Sequence, residues 1–464
     1  MSSPPDLDRG GNPVTGVFTD SIAAVATAPG VGAIAVVRIS GPQALQIAAR
    51  LSGRPAGRFT PRRATLAPVL SAAGERVDEA LYTYFAAPAS YTGEDVVEIS
   101  CHGGIATVRE VLQAALSAGA RSAGPGEFTR RAFLNGKLDL AQAEAVNQLI
   151  RARTRTQLIA ARHTLSGALS RRLEEIWEHL TAISAAIEAS IDFPEDVDEP
   201  DRTELAAALD RLYQSVEQVL ELARRGRLLS QGVRLAIVGR PNVGKSSLLN
   251  LLAGRPRAIV SDIPGTTRDF LEETVEIGGL PVLAIDTAGI RETGDPVEQE
   301  GTRRALEALE HADIGLVVLD ATQGVAEGDL EVLQAAGERA VTVWNKMDLV
   351  AVVPDAGELT ANAVSISALT GQGLEDLQQA ILSRLGAGAG YFEEALSASA
   401  HQVSLLEQAG QALAGAVASV QSPHALDLAA VQIQTARSRI GELLGKDVTE
   451  SLLDAIFGAF CIGK

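Results

Sequence analysis

The run Gly239-Arg240-Pro241-Asn242-Val243-Gly244-Lys245-Ser246 fits G-x-x-x-x-G-K-[ST], and no other stretch of the chain constrains the fold as much. Such a loop leaves a buried strand and enters a helix, because its backbone N–H groups and the helix N-terminus together cradle phosphate. The flanks comply. Val233 to Val238 is an apolar, β-branched run suited to a buried strand, and Ser247 to Leu252 has helical character. A doubly wound α/β module of the Ras-like P-loop type is predicted here. More than two hundred residues precede the loop, so the nucleotide module is one part of a larger chain.

The 464 residues allow two to four domains. With 46% apolar and 21% charged residues the chain is globular in composition. A net charge of −18 argues against broad nucleic-acid binding, which needs a basic footprint. One local basic run stands out: ten Arg and Lys between Arg121 and Arg172 against the three acids Glu127, Asp139 and Glu144. It reads as a solvated helix surface or as an anion or RNA contact. Asp192 to Asp201, with six acids in ten residues and Pro194 and Pro200, reads as a solvated loop. The two cysteines, Cys101 and Cys461, lack zinc-ligand spacing and suit a reducing, cytoplasmic setting. Neither Ser21–Val37 nor Gln408–Leu426 has the composition of a signal peptide or a membrane span.

Residues 1–19 read as a loose tail, and 20–137 as an α+β domain with strands at Ala33–Ile39 and Val96–Ile99 and a helix at Val108–Ala118. Residues 138–229 carry a helical period. The nucleotide module is expected at 230–385, and Gly386-Ala387-Gly388-Ala389-Gly390 reads as a flexible joint. Residues 386–464 turn helical again. The two helical segments are expected to pack as one domain, with the nucleotide module inserted between them.

The remaining nucleotide elements occur in order. Asn242, Val243, Gly244, Lys245, Ser246 and Ser247 would surround the phosphates, with Lys245 neutralising β/γ oxygens and Ser246 ligating Mg²⁺. Ser261-Asp262-Ile263-Pro264-Gly265-Thr266-Thr267 supplies a switch-like loop in which Thr267 reaches Mg²⁺ and senses the γ-phosphate. Asp286-Thr287-Ala288-Gly289 is D-x-x-G at a strand end. Asn345-Lys346-Met347-Asp348 is N-K-x-D, whose carboxylate accepts guanine N1–H and N2–H; adenine offers no such pair. Ser367-Ala368-Leu369 matches the last base-contacting loop. Many GTPases place a water-orienting glutamine after D-x-x-G. Ile290 stands there instead, so either hydrolysis is poor or other groups supply catalysis. Asn242 offers an amide oxygen near the β-phosphate that suits a monovalent cation.

Two further motifs complete the picture: Pro125-Gly126-Glu127-Phe128-Thr129-Arg130-Arg131-Ala132-Phe133-Leu134-Asn135-Gly136-Lys137-Leu138-Asp139-Leu140 and the terminal Phe460-Cys461-Ile462-Gly463-Lys464. With the nucleotide module they closely resemble the MnmE (TrmE) family of tRNA-modification GTPases, from about Asp20 to Lys464. The resemblance implies a K⁺-activated GTPase that dimerises through its N-terminal domain. It implies work with an MnmG-like flavoprotein, which carries the FAD, to build a carboxymethylaminomethyl-type group at C5 of the wobble uridine of certain tRNAs. A reduced folate of the 5,10-methylene or 5-formyl type would serve as one-carbon donor. Matched by motif, Asn242, Ser261, Ile263 and Thr266 resemble the K⁺ ligands, and Glu298, twelve residues after Asp286, resembles the catalytic glutamate. Arg38, Glu98, Lys137 and Lys464 resemble the folate contacts, and Cys461 would lie near the folate. Cys101 departs from the family pattern and receives no role. The alternatives are a ribosome-assembly GTPase, which expects an RNA-binding domain after the nucleotide module, and a pure switch in which hydrolysis only times partner binding.

Overall fold

The computed structural model describes residues 18–254, 271–286, 298–354, 360–388, 390–422 and 426–464. Their contacts separate two compact units. The first comprises Met1–Ile150, Thr164–Leu220 and His401–Lys464, and the second Arg151–His163 and Glu221–Ala400.

The first unit opens with β1 (Ile22–Val25), β2 (Ile34–Ser40), α1 (Ala44–Ser52), β3 (Ala64–Leu70), β4 (Arg76–Phe85), β5 (Val96–His102), α2 (Ile105–Ser117) and β6 (Arg121–Ser122). The strands form one mixed sheet in the order β3-β4-β5-β2-β1-β6. Alternation along β2 sends Ala35, Val37 and Ile39 into the core with Val97, Ile99 and Cys101 of β5, where α1 and α2 contribute Ile47, Leu51 and Val111. The same two-residue period puts Arg38 and Glu98 on the opposite face, as register partners. Cys101 is thereby a small buried hydrophobe whose Sγ faces Ala35 O at 3.6 Å.

Helices follow: α3 (Glu127–Leu134), α4 (Leu140–Arg151), α5 (Arg155–Leu165), α6 (Ala168–Asp192) and α7 (Arg202–Gln231). The second unit continues with β7 (Val233–Val238), α8 (Lys245–Leu252), β8 (Leu271–Ile277), β9 (Leu280–Asp286), α9 (Glu298–Glu310), β10 (Ile314–Asp320), α10 (Glu327–Ala336), β11 (Ala340–Asn345), β12 (Val364–Ser365) and α11 (Leu374–Arg384). The first unit resumes with α12 (Ala400–Val420), α13 (Leu426–Leu444) and α14 (Glu450–Gly458).

Within the first unit α6 packs along α13, so the two helical segments do meet. Lys446 Nζ lies 3.5 Å from the centroid of the Trp177 ring and 2.8 Å from Glu174 Oε1. Gly441 leaves room for the same Trp177. Two sequence boundaries differ from this arrangement. Part of α5 belongs to the second unit: Ala160 joins its core, Thr154 Oγ1 donates to Gly279 O and Gln157 Nε2 to Leu229 O. An amphipathic stripe states that one face is buried, not against what. The glycine-rich joint is not a free linker either, since Ala387 is buried in the same core beside Phe392 and Ala395.

The second sheet runs β12-β11-β10-β7-β9-β8, parallel except for the edge strand β8. β7 lies between β9 and β10, the point where strand order reverses and where doubly wound sheets bind ligands beyond their carboxyl ends. The loop Gly239–Gly244 leaves β7 at this point. Among the described residues no helix is long and apolar enough to cross a membrane.

Candidate functional site

The phosphate loop owes its shape to two glycines. Gly239 and Gly244 have φ of 143° and 100°, and a Cβ on either would collide with Val318 O or with Asn345 Nδ2. Gly244 precedes α8, whose first residue is Lys245. Its ammonium is nearly buried and donates to the carbonyls of Gly239 and Arg240, both at 2.8 Å, which holds it over the loop. Among the described residues only Arg62, Asn242 and Lys346 are non-glycine residues with left-handed φ, and two of them sit in this site. Backbone strain gathers where function over-determines the conformation, and asparagine tolerates the region better than most residues. Arg240 ties the loop to α10 through Nε, 2.8 Å from Asp329 Oδ2, in an ion pair too bent to count as a hydrogen bond. Its Nη2 donates to Gly324 O at 2.9 Å.

The base end is built on β11. Asn345 is buried; Nδ2 donates to Val243 O at 2.8 Å and Oδ1 accepts from Ala368 N at 2.9 Å. One side chain therefore joins the phosphate loop to the loop after β12. Lys346 Nζ donates to Asp320 Oδ2 at 2.7 Å. Burial works against ionising Asp320, but the bonds from Lys346 and Thr322 outweigh it and hold the carboxyl below its ordinary range. Asp348 accepts from Ser367 Oγ at 2.6 Å, which fixes one oxygen and its rotamer. Asp320 was missed in the sequence. Its signal is a carboxylate closing the apolar strand Ile314–Leu319 at the sheet edge where ligands bind.

Several expected site residues lie outside the described residues: Ser261 to Thr267, Thr287, Ala288 and Gly289. Asp286 ends β9 and Glu298 begins α9, but their side chains are likewise outside the description.

A second cluster forms in the first unit. Arg38 Nε and Nη2 both bond Glu98 Oε1, at 3.0 and 2.8 Å. Arg38 Nη1 donates to Gly463 O at 3.4 Å. The rings of Tyr91 and Phe128 lie 5.4 and 5.6 Å from the guanidinium carbon and restrict it. Tyr91 is fixed in turn by a 2.9 Å bond to Thr129 Oγ1; burial raises its phenol above the ordinary value despite that bond and the Arg38 charge. The terminal segment is seated by Gly126 N donating to Cys461 O and by a bridge between Pro125 and Ile462. Phe457 and Phe460 pack with Leu140 and Leu453 beneath it. Burial, then the Arg38 charge, pulls the Lys464 ammonium below its ordinary value against the opposing pull of Glu98. Cys461 is exposed. Lys137 stands at the margin, its Nζ donating to Pro88 O at 3.1 Å on the loop that carries Tyr91. The structure thus joins Arg38, Glu98 and the 463–464 segment and leaves Lys137 one loop away. Neither Tyr91 nor Phe128, the latter inside the Pro125–Leu140 motif, was assigned a role in the sequence.

Two family profiles match the chain: "GTP-binding protein TrmE N-terminus" over residues 21–137 and "MnmE helical domain" over 140–461. The tRNA modification GTPase MnmE of Moorella thermoacetica is 46% identical over 469 residues, covering 97% of this chain and all of that protein. That of Symbiobacterium thermophilum is 46% identical over 460 residues, covering 96% and 99%. Among solved structures, the G domain of the T. maritima FeoB iron transporter is 28% identical over 33% of this chain and 98% of its own, at a TM-score of 0.26. Aquifex aeolicus Era bound to GDP and aluminium fluoride is 30% identical over 39% and 66%, at 0.27.

Proposed function

The chain belongs to the MnmE (TrmE) family of tRNA modification GTPases, and on that premise we propose that its two clusters divide the labour: GTP turnover in the second unit, one-carbon chemistry on wobble uridine in the first. Hydrolysis of GTP in tRNA modification is the family's activity.

At the nucleotide site Lys245 and the α8 N-terminus neutralise phosphate charge, and Asp348, oriented by Ser367, selects guanine. Ser246 and Thr267 would hold Mg²⁺. Asn242, with Ser261, Ile263 and Thr266, would hold K⁺ in place of an arginine finger. The left-handed backbone at Asn242 explains why an asparagine is tolerated there, and its amide oxygen is what would address the cation. Glu298 would act through a bridging water. Ile290 cannot orient water, so the task falls to that carboxylate.

The donor set around Arg38 fits a reduced folate. Arg38 and Lys464 place cationic groups beside the Glu98 carboxylate, which suits an anionic glutamyl tail. Both guanidinium bonds fall on Glu98 Oε1, so Oε2 can address a pterin's amidine-like N–H edge. The folate would supply the one-carbon unit when bound. The chain's residues bind and orient it, and Lys464, with its lowered pKa, can give up a proton more readily than an ordinary lysine. Lys137 would extend the cationic margin. A homodimer and a flavoprotein partner of the MnmG type complete the reading, which suits a cytoplasmic setting.

The observation that carries this proposal is the convergence of Arg38, Glu98 and Gly463. Mass spectrometry of digested tRNA tests it. Cys461→Ser and Lys464→Ala should each abolish the wobble modification while leaving GTP hydrolysis intact. Normal wobble nucleosides in both variants would defeat the folate assignment.

A further inference from the structure

The basic run between Arg121 and Arg172 is not one surface. Arg121 and Arg131 share Asp20 and Glu127, Arg131 also takes Glu94, Arg130 pairs with Asp454, and Arg171 donates to Ser166 O. Arg172 does none of this. It is exposed, and among the described residues its guanidinium has no carboxylate or carbonyl partner. The same holds for Arg211 on α7.

Both arginines line one groove of about 500 Å³ between α6 and α7, wholly within the first unit. Helical spacing explains the meeting. Arg172, Ile176, His179 and Ile183 share one face of α6, and Ala208, Arg211, Leu212 and Ser215 share one face of α7. The floor is apolar and the rim carries His179, Ser215 and Gln218 as hydrogen-bonding groups. His179 Nδ1 is committed to Glu175 O at 2.6 Å, which leaves Nε2 for a ligand. One carboxylate, Glu175, opposes the two guanidinium charges. In a chain of net charge −18 an unpaired cationic pair over a shaped groove is a local exception.

We propose that this groove binds the sugar-phosphate backbone of the tRNA substrate. Guanidinium groups grip phosphate oxygens in bidentate fashion, and neutral donors beside them suit ribose and phosphate contacts. A protein this acidic cannot hold RNA by diffuse attraction, so it must concentrate its contacts at sites such as this one. The inference rests on the family's tRNA activity but on neither the K⁺ nor the folate reading, and its readout is binding alone.

The test uses the full-length protein, a fluorescein-labelled tRNA transcript and a salt titration followed by anisotropy. Arg172→Gln with Arg211→Gln should weaken binding about tenfold or more near 0.1 M salt and make the log–log salt slope shallower by about one and a half. Arg172→Lys with Arg211→Lys should keep the slope. Arg58→Gln with Arg109→Gln removes two exposed charges elsewhere in the same unit and should change neither quantity. Glutamine preserves helix propensity, so the melting temperature and GTP hydrolysis should match the parent. Equal losses in the two glutamine pairs would mean net charge alone is at work and would overturn the proposal. So would an unchanged salt slope, or loss of a protein partner with tRNA affinity intact.

Discussion

Arg38 and Gly463 stand 425 positions apart in sequence, yet Arg38 Nη1 and Gly463 O lie 3.4 Å apart. Two glycines in the left-handed region make the approach possible. Gly463, φ 96°, runs against Val25 O with no space for a side chain, and Gly126, φ 61°, packs beneath Phe457 and Phe460. Replacing Gly126 by alanine would bring a Cβ to 2.7 Å from Phe457 O and 2.9 Å from Phe460 Cβ, and would strain the backbone by about 1–3 kcal/mol. Gly126→Ala is expected to lower the wobble modification at least about tenfold while GTP turnover stays near the parent's. Wild-type nucleoside levels in this variant would show that the seating of 461–463 is dispensable.

The cation reading of Asn242 predicts GTP turnover at least about tenfold faster in KCl than in NaCl at equal ionic strength, within the rate advantage a finger provides. Steady-state phosphate release in the two salts measures it directly. Equal rates would leave Asn242 as a loop residue only.

Asp348 would meet the base directly in the N-K-x-D reading, whereas Asp320 is bonded to Lys346. Asp348→Asn exchanges one acceptor for a donor, so guanine should lose at least about a hundredfold in affinity and xanthine, with a carbonyl at C2, should gain. Asp320→Asn removes the partner of Lys346 and should weaken both GTP and GDP by a smaller common factor, since the carboxylate reaches the site only through Lys346. Titrations with the two diphosphates and xanthosine diphosphate separate these outcomes.

Arg131, 1% exposed, binds Asp20, Glu94 and Glu127 at once. Arg131→Met leaves Glu94 buried beside Ser40 and Thr92 and should cost about 3–5 kcal/mol, seen as a lower melting temperature. The network also sets an acid response. Burial opposes ionisation of Asp20 and Glu127, yet hydrogen bonds from Arg121, and from Arg131 or Gly124 N, bring both carboxyls below their ordinary 3.8 and 4.5. Their contribution is complete above those values and is lost as pH falls through the lower folded ones. Glu94 is raised by burial, so its contribution has the opposite sign and weakens as pH climbs from 4.5 to its folded value. The melting temperature of the parent should therefore fall steeply below about pH 4, and that fall should be shallower in Arg131→Met.

How much of this was legible depended on whether chemistry or packing chose the residue. Val233–Val238, the glycine loop and α8 were readable because phosphate binding dictates strand, turn and helix in that order. Motif resemblance placed Arg38 and Glu98 in one ligand set, but their pairing came only with strand register, which makes them neighbours. Asp320 carried a weak signal at a strand end. The fate of the basic run was not readable, because a run of arginines does not say which of them will find carboxylates: Arg131 is enclosed by three and Arg172 by none. The allegiance of α5 was hidden for the same reason. Its period matches a bundle helix, and the contacts of Thr154, Gln157 and Ala160 within the second unit decide otherwise.

Asn345 has a consequence for how the nucleotide is read. Its amide bonds the phosphate loop at Val243 and the base loop at Ala368 together, so a shift of either loop pulls on the other. In linkage terms, guanosine and inorganic pyrophosphate offered as separate molecules should reinforce one another, each lowering the concentration of the other needed for half-saturation in a binding titration. The covalent bond between base and phosphates in GTP then supplies a proximity that the protein has already prepared to exploit, and a triphosphate on the wrong base forfeits that cooperation along with its base contacts.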